Sequence, residues 1–257
     1  MEKSKHDPGT FCWVELATSD GAAAKKFYTS LFGWTVDDVP GGGGIYTMLQ
    51  KNGKDAGALY QLGPEQQGVP PHWNSYVCVQ SADDTAAVAK KLGGNIIMEP
   101  FDVMEHGRMA VVQDPTGAVF SLWQPKGHIG AQVVNEPGSF CWNELYTTDP
   151  KKDADFYTGL FGWTKDPRHM DFGEYVIFNK SDSQACGMMQ IPKEWGPVPA
   201  HWLVYFAVDD CDRAVDQAKG MGAKVTVPPM DIEKIGRFAM LTDPQHAAFA
   251  VIKLTAA

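Results

Sequence analysis

A chain of 257 residues, 44% of them hydrophobic, has room for one large domain or two ordinary ones and can bury a core without covalent staples. Its net charge of −9 and its lack of any basic run argue against nucleic acid and against an anionic membrane surface, since both call for a positive field. The cysteines, Cys12, Cys78, Cys141, Cys186 and Cys211, are odd in number and form no CxxC pair, so neither a disulfide framework nor a structural zinc site is expected.

The expected elements follow in chain order. Residues 11–17 alternate as a strand does. Asp20 is placed to cap a helix over 22–32, rich in helix formers, and Gly33 suits its end. Short strands are expected at 34–36, 45–49 and 56–61, with the Gly41–Gly44 run as a turn or lid; it lacks the strand-to-helix setting of a phosphate loop. The pattern then restarts: strand 73–79, helix 83–92 ended by Gly93 and Gly94, and strands at 95–98, 108–113 and 119–123, the last two joined by an Asp114-Pro115-Thr116-Gly117 turn. A linker rich in Pro and Gly covers 124–138.

The same order then recurs. Pro8 to Asp20 matches Pro137 to Asp149 in its Pro-Gly-x-Phe-Cys-Trp-x-Glu-Leu core, and Trp13 and Trp142, His72 and His201, Arg108 and Arg237, and Asp114 and Asp243 all stand 129 residues apart. A constant offset over half a chain implies two domain-sized copies, at 9–125 and 138–254. Each copy reads as βαβββ followed by βαβββ. With no apolar leader and no run long enough to span a bilayer, the expected setting is cytoplasmic.

The Trp13-Val-Glu-Leu segment, Asp20, Phe27-Tyr28, Leu31-Phe32-Gly33-Trp34 and the closing Asp114-Pro-Thr-Gly turn resemble the vicinal oxygen chelate superfamily, which includes glyoxalases, extradiol dioxygenases and bleomycin-resistance proteins. The resemblance covers almost the whole chain and is nearest to tandem glyoxalase-like proteins. It implies an α+β fold of four βαβββ units, in two tandem glyoxalase/bleomycin-resistance-like modules that form cup-shaped mixed sheets. It also implies one chain equivalent to a dimer of single modules.

Metal-using members of that superfamily place ligands where this chain has Trp13, Asn74 and Ser121, and Trp142, Leu203 and Ala250. None of the six is a good ligand for a divalent cation. A site shifted by two residues would start from Glu15 and His72 but lacks a third ligand on the last strand. Neither a metal nor another cofactor is therefore expected.

Glu15 and Glu144, mid-strand among apolar residues, are the candidate general bases, because burial raises a carboxyl pKa. The plain alternative is an ion pair with Arg108 or Arg237. His72 and His201 begin a strand and are candidates for proton transfer or hydrogen bonding, against a role in holding loop backbone. Trp13, Trp142, Tyr76 and Tyr205 could form an aromatic floor for a planar or cationic ligand, against ordinary core packing. Arg108 and Arg237 could bind an anionic group. His246, at a turn position that is Gly in the first copy, is expected in the left-handed conformation without a chemical role. The functions in view are a metal-independent lyase or isomerase using a Glu base, and a binding protein without chemistry for a small molecule or drug; a third is that one copy is catalytic and the other structural, between which the near-equal motif sets give no choice. A small-molecule ligand is expected, and the chain is expected to be a monomer with an internal pseudo-dimer.

Overall fold

A computed structural model describes residues 1–41, 44–170 and 173–255. The first half forms β1 (Phe11–Thr18), α1 (Gly21–Phe32), β2 (Thr35–Gly41), β3 (Gly44–Lys51), β4 (Lys54–Gln61), β5 (His72–Cys78), α2 (Ala82–Lys91), β6 (Asn95–Val103), β7 (Gly107–Gln113) and β8 (Val119–Pro125). The second repeats it as β9 (Phe140–Thr147), α3 (Pro150–Phe161), β10 (Thr164–Met170), β11 (Gly173–Lys180), β12 (Ser183–Gln190), β13 (His201–Ala207), α4 (Cys211–Gly220), β14 (Lys224–Ile232), β15 (Gly236–Thr242) and β16 (Ala248–Leu254). Among the described residues these strands make two eight-stranded mixed sheets, ordered β2-β3-β4-β1-β5-β8-β7-β6 and β10-β11-β12-β9-β13-β16-β15-β14. This is the α+β architecture of four βαβββ units in two tandem modules, and each sheet belongs wholly to one half.

The local signals work as their chemistry requires. The Asp20 side chain accepts from Ala23 N, and Gly33 ends α1 at φ 68°, a conformation a side chain would disfavour. His246 stands at φ 76°. Gly41 and Gly44 close the β2–β3 hairpin, and the two glycines between them lie outside the described residues. Two strands run longer than the pattern suggests. β2 continues through Asp37, Asp38 and Pro40, and β6 through Pro100. Both are edge strands, where a proline forfeits no ladder bond, and β6 changes register on either side of Met98.

The main core lies between the two sheets. Phe11 meets the Trp202 ring at 5.0 Å, Trp73 meets Phe206 at 5.0 Å, and Ser75 Oγ donates to Asn143 Oδ1 at 2.6 Å. Each first helix also reaches across. Tyr28 on α1 donates to Asp243 Oδ2 at 2.9 Å while accepting from Trp73 Nε1 at 3.0 Å. Tyr157 on α3 repeats this with Asp114 Oδ2 at 2.9 Å and Trp202 Nε1 at 2.9 Å. Trp34 Nε1 donates to Gly138 O, and Trp163 Nε1 to Gly9 O. The halves thus share one core about a pseudo-two-fold axis. The opposite, concave face of each sheet is left to form a cup.

Candidate functional site: two unequal cups

Strand alternation fixes what lines each cup. In the first, Trp13, Glu15 and Ala17 of β1 share a face and pair with Tyr76, Asn74 and His72 of β5. Tyr76 in turn pairs with Ser121 of β8. On the other flank Tyr46 of β3 pairs with Tyr60 of β4, and Ala58 with Glu15. Beyond them the sheet edges curl round, so that Pro40, Gly41 and Gly44 lie across from Phe101, Asp102, Val103 and Met104. The groove between these edges measures about 650 Å³.

Glu15 is the centre of this face. Tyr46 Oη donates to its Oε2 at 2.6 Å and Tyr76 Oη to its Oε1 at 2.9 Å. Trp13 Nε1 donates to Tyr46 Oη at 3.3 Å. Desolvation raises the Glu15 pKa above the ordinary carboxylate value, and the two phenols oppose that rise only partly. The same carboxylate holds the Tyr46 and Tyr76 hydroxyls protonated, because burial and its charge both push their pKa values up. Among the described residues no arginine pairs with Glu15. Asn74 Nδ2 donates to Ser121 Oγ at 2.7 Å, and Asn74 Oδ1 is buried with no partner among the described residues. His72 Nδ1 lies 2.9 Å from Pro70 O, so its donor is committed to the loop and Nε2 remains as an acceptor.

The second cup keeps the motif with Glu144, where Tyr175 Oη donates to Oε2 at 2.6 Å and Tyr205 Oη to Oε1 at 3.1 Å. Burial raises the Glu144 pKa too. Trp142 Nε1 donates to Tyr175 Oη at 3.1 Å, and His201 Nδ1 lies 2.9 Å from Pro199 O. The surroundings differ. Where the first cup has Ala17, the second has Tyr146, whose ring stacks on His201 at 5.3 Å and meets Trp195 at 5.1 Å. Tyr146, Leu203, Tyr205, Phe238, Met240, Ala250 and Ile252 form a buried cluster of their own. Glu144 is only 6% exposed beneath it, whereas Glu15 is half-buried.

Most sequence-derived candidates therefore converge. Glu15, His72, Trp13 and Tyr76 share one concave face, and Glu144, His201, Trp142 and Tyr205 share the other. Arg108 and Arg237 do not. Arg108 Nε donates to Asp83 Oδ2 on α2 at 2.6 Å, and Arg237 Nε to Asp212 Oδ2 on α4 at 2.6 Å. Each alternates with the cup-facing residue beside it, Met109 or Phe238, and so lies on the helix side of the sheet, away from any cup ligand and from the Glu partners considered above. Four residues went unforeseen: Tyr46, Tyr175, Tyr146 and the linker residue His128, which sits edge-on to Trp13 at 4.8 Å. Tyr46 and Tyr175 obey the 129-residue spacing, and that signal was available.

The positions that hold metal in metal-using members of the vicinal oxygen chelate superfamily do not fit a cation here. An indole N–H at Trp13, the Asn74–Ser121 hydrogen bond, and Leu203 with Ala250 offer no ligand set, and Glu15 is occupied by two phenols. Among the described residues no group of three or more His, Cys, Asp or Glu could hold an ion, and all five cysteines are free thiols. No helix among them is long and apolar enough to cross a membrane.

Comparison with known proteins agrees with this geometry. A family model described as "Glyoxalase/Bleomycin resistance protein/Dioxygenase superfamily" matches residues 10–122 and 129–251. "Putative glyoxylase CFP32" of Mycobacterium tuberculosis (strain CDC 1551 / Oshkosh) is 45% identical over 259 residues, covering 98% of this chain and 97% of that protein. "Anthracycline biosynthesis protein DnrV" of Streptomyces peucetius is 36% identical over 261 residues, covering 96% of this chain and 94% of that one. Among solved structures, the Mn(II)-bound glyoxalase from Novosphingobium aromaticivorans superposes with a TM-score of 0.67 at 15% identity, covering 96% of this chain and 82% of that one. The 2,3-dioxygenase LapB from Pseudomonas sp. KL28 does so with 0.66 at 12% identity, covering 96% and 92%. At these identities the two structures bear on the fold alone.

Proposed function

This chain belongs to the Glyoxalase/Bleomycin resistance protein/Dioxygenase superfamily, and we propose that its first cup binds a small oxygenated molecule and moves a proton beside the carbonyl of that molecule, as a metal-independent lyase or isomerase. One observation carries the reading: Glu15 is half-buried on the concave face of the first sheet, with a phenol hydroxyl on each carboxylate oxygen. Desolvation makes it a stronger base than a surface carboxylate. When Glu15 takes the carbon-bound proton it loses its charge and holds the phenols less strongly. Tyr46 or Tyr76 is then free to turn its O–H to the enolate oxygen, and the proton returns from Glu15 to carbon or to the neighbouring oxygen. No covalent bond to the protein forms, and no metal enters. His72 offers Nε2 to a ligand hydroxyl at the top of the cup.

A second reading, binding without chemistry, draws support from the apolar side chains of Phe101, Val103 and Met104 at the groove, which suit a flat aromatic body. Proton exchange separates the two readings. The protein is incubated in D2O with 2-hydroxy-1-phenylethanone, and with methylglyoxal plus a thiol, while NMR follows loss of the proton next to the carbonyl. Exchange in the wild type that falls by roughly a hundredfold or more in Glu15→Gln is the expected result. Equal exchange in both proteins rejects Glu15 as the base. Binding with no exchange favours the second reading.

A further inference from the structure

We infer that the α3 end of the seam between the halves is a proton-operated latch, held when the Asp153 carboxyl is protonated and loosened when it is ionised. The first turn of α3 docks on the β7–β8 turn of the other half. Lys152 Nζ donates to Pro115 O at 3.1 Å, Thr116 Oγ1 donates to Asp153 Oδ2 at 2.6 Å, and Tyr157 Oη donates to Asp114 Oδ2. Thr147 Oγ1, at the end of β9, donates to the same Asp153 Oδ2. Asp153 is 0% exposed, and its Oδ1 is buried with no hydrogen-bond partner among the described residues. An ionised carboxylate with one oxygen bare of donors has nothing to replace the water it gave up. A proton on Oδ1 removes the charge and leaves both threonine bonds on Oδ2 in place.

The charges around Asp153 act in the same sense. Thr116 Oγ1 also lies 3.1 Å from Asp114 Oδ1, so a single hydroxyl separates two carboxyl groups. Asp114 takes the amides of Thr116, Gly117 and Ala118 and the Tyr157 phenol, while Asp153 has only its two threonines, so a proton on the pair goes to Asp153. Asp149, the N-cap of α3, is a third negative group, Lys152 spends its amine on Pro115 O, and among the described residues no cation pairs with Asp153. Burial first and Asp114 second push the Asp153 pKa, against the threonine hydroxyls, from its ordinary 3.8 up to about 6. The folded chain thus keeps a proton that the unfolded chain has released. The stability this brings is full below pH 3.8 and is lost as pH rises through about 6. The α1 end lacks the device. Ala24, equally buried, stands where α3 has Asp153, and Gln245 stands where the other turn has Thr116, so the acid is not needed to pack the helix. Burial raises the Asp243 pKa there too, but the amides of Gln245 and Ala247 and the Tyr28 phenol supply both of its oxygens.

The test compares the whole chain with Asp153→Asn, whose side chain keeps its shape and cannot ionise. In urea, the folding equilibrium constant of the variant relative to the wild type is expected to rise about fiftyfold between pH 4 and pH 8. Glu15, Glu144 and Asp243 titrate alike in both proteins and cancel from that ratio. Asp153→Ala, which installs the residue of the other helix, serves if Asp153→Asn does not fold. A ratio that stays constant with pH overturns the inference. Hydrogen exchange followed by mass spectrometry then locates the loosening. At pH 8, residues 114–118 and 151–157 are expected to exchange faster in the wild type than in the variant, by a larger factor than residues 21–28 and 243–247. Equal factors at the two ends would mean that a buried acid weakens the whole fold, and the latch would be overturned.

Discussion

Tyr146→Ala is the most direct measure of how firmly the second cup is closed. Tyr146 is 1% exposed, lies between His201 and Trp195, and reaches Met240. A buried tyrosine removes at least ~150 Å² from water, which at ~25 cal/mol per Å² comes to about 4 kcal/mol. Core Phe or Trp truncations cost about 3–5 kcal/mol, because the cavity left behind collapses only in part. The two routes agree, so a loss of about 4 kcal/mol is expected, or roughly 8–16 °C in Tm for a chain near this length. Urea unfolding followed by far-UV circular dichroism gives the number. Tyr146→Phe keeps the ring and should lose no more than about 1.5 kcal/mol, the net worth of one hydrogen bond. A loss below about 1 kcal/mol for Tyr146→Ala would show that the ring hangs over an open space, and the argument that the second cup is filled would be refuted.

Two further outcomes follow from the buried polar groups. Glu15 has a folded-state pKa raised by desolvation above its ordinary value of 4.5, so the folded chain keeps a proton that the unfolded chain has released. Stability from this group is present below pH 4.5 and is lost as pH rises through the folded value. Glu15→Gln should therefore match the wild type in urea at pH 4 and exceed it at pH 8, and a constant difference between the two pH values would contradict the assignment. Tyr28→Phe and Tyr157→Phe each strand a buried carboxylate oxygen and an indole N–H, at about 2–3 kcal/mol apiece in thermal or urea unfolding. A large disparity between the two would argue against the pseudo-two-fold core.

The repeat and the cup faces were legible because both rest on period. Once Trp13 is taken as inward, strand alternation carries Glu15 with it, and the pairing of β1 with β5 brings Tyr76 and His72 to the same side. Arg108 failed by the same rule. Its strand alternates too, but nothing in the sequence fixed which parity faced the cup, and the carboxylate that claims it, Asp83, lies 25 residues away at the start of α2. Tyr46 comes from two strands beyond β1 and reaches Glu15 only because the sheet curls, and local patterning does not encode that curvature. The prolines in β2 and β6 concealed the length of the edge strands. Ala17 and Tyr146 are a mismatch within the repeat that the sequence shows, but its meaning needs the side-chain volume above Glu144.

Joining the two halves in one polypeptide also releases them from symmetry. In an assembly of identical subunits, any residue that plugs one cup plugs the other, since one gene specifies both. Here the surfaces that must stay matched, the Tyr28–Asp243 and Tyr157–Asp114 contacts and the aromatic seam between the sheets, are held in duplicate, while positions 17 and 146 have drifted apart. The second half can then change its cup wall without changing that of the first. Selection for a new ligand would then act on one set of wall positions instead of two coupled ones.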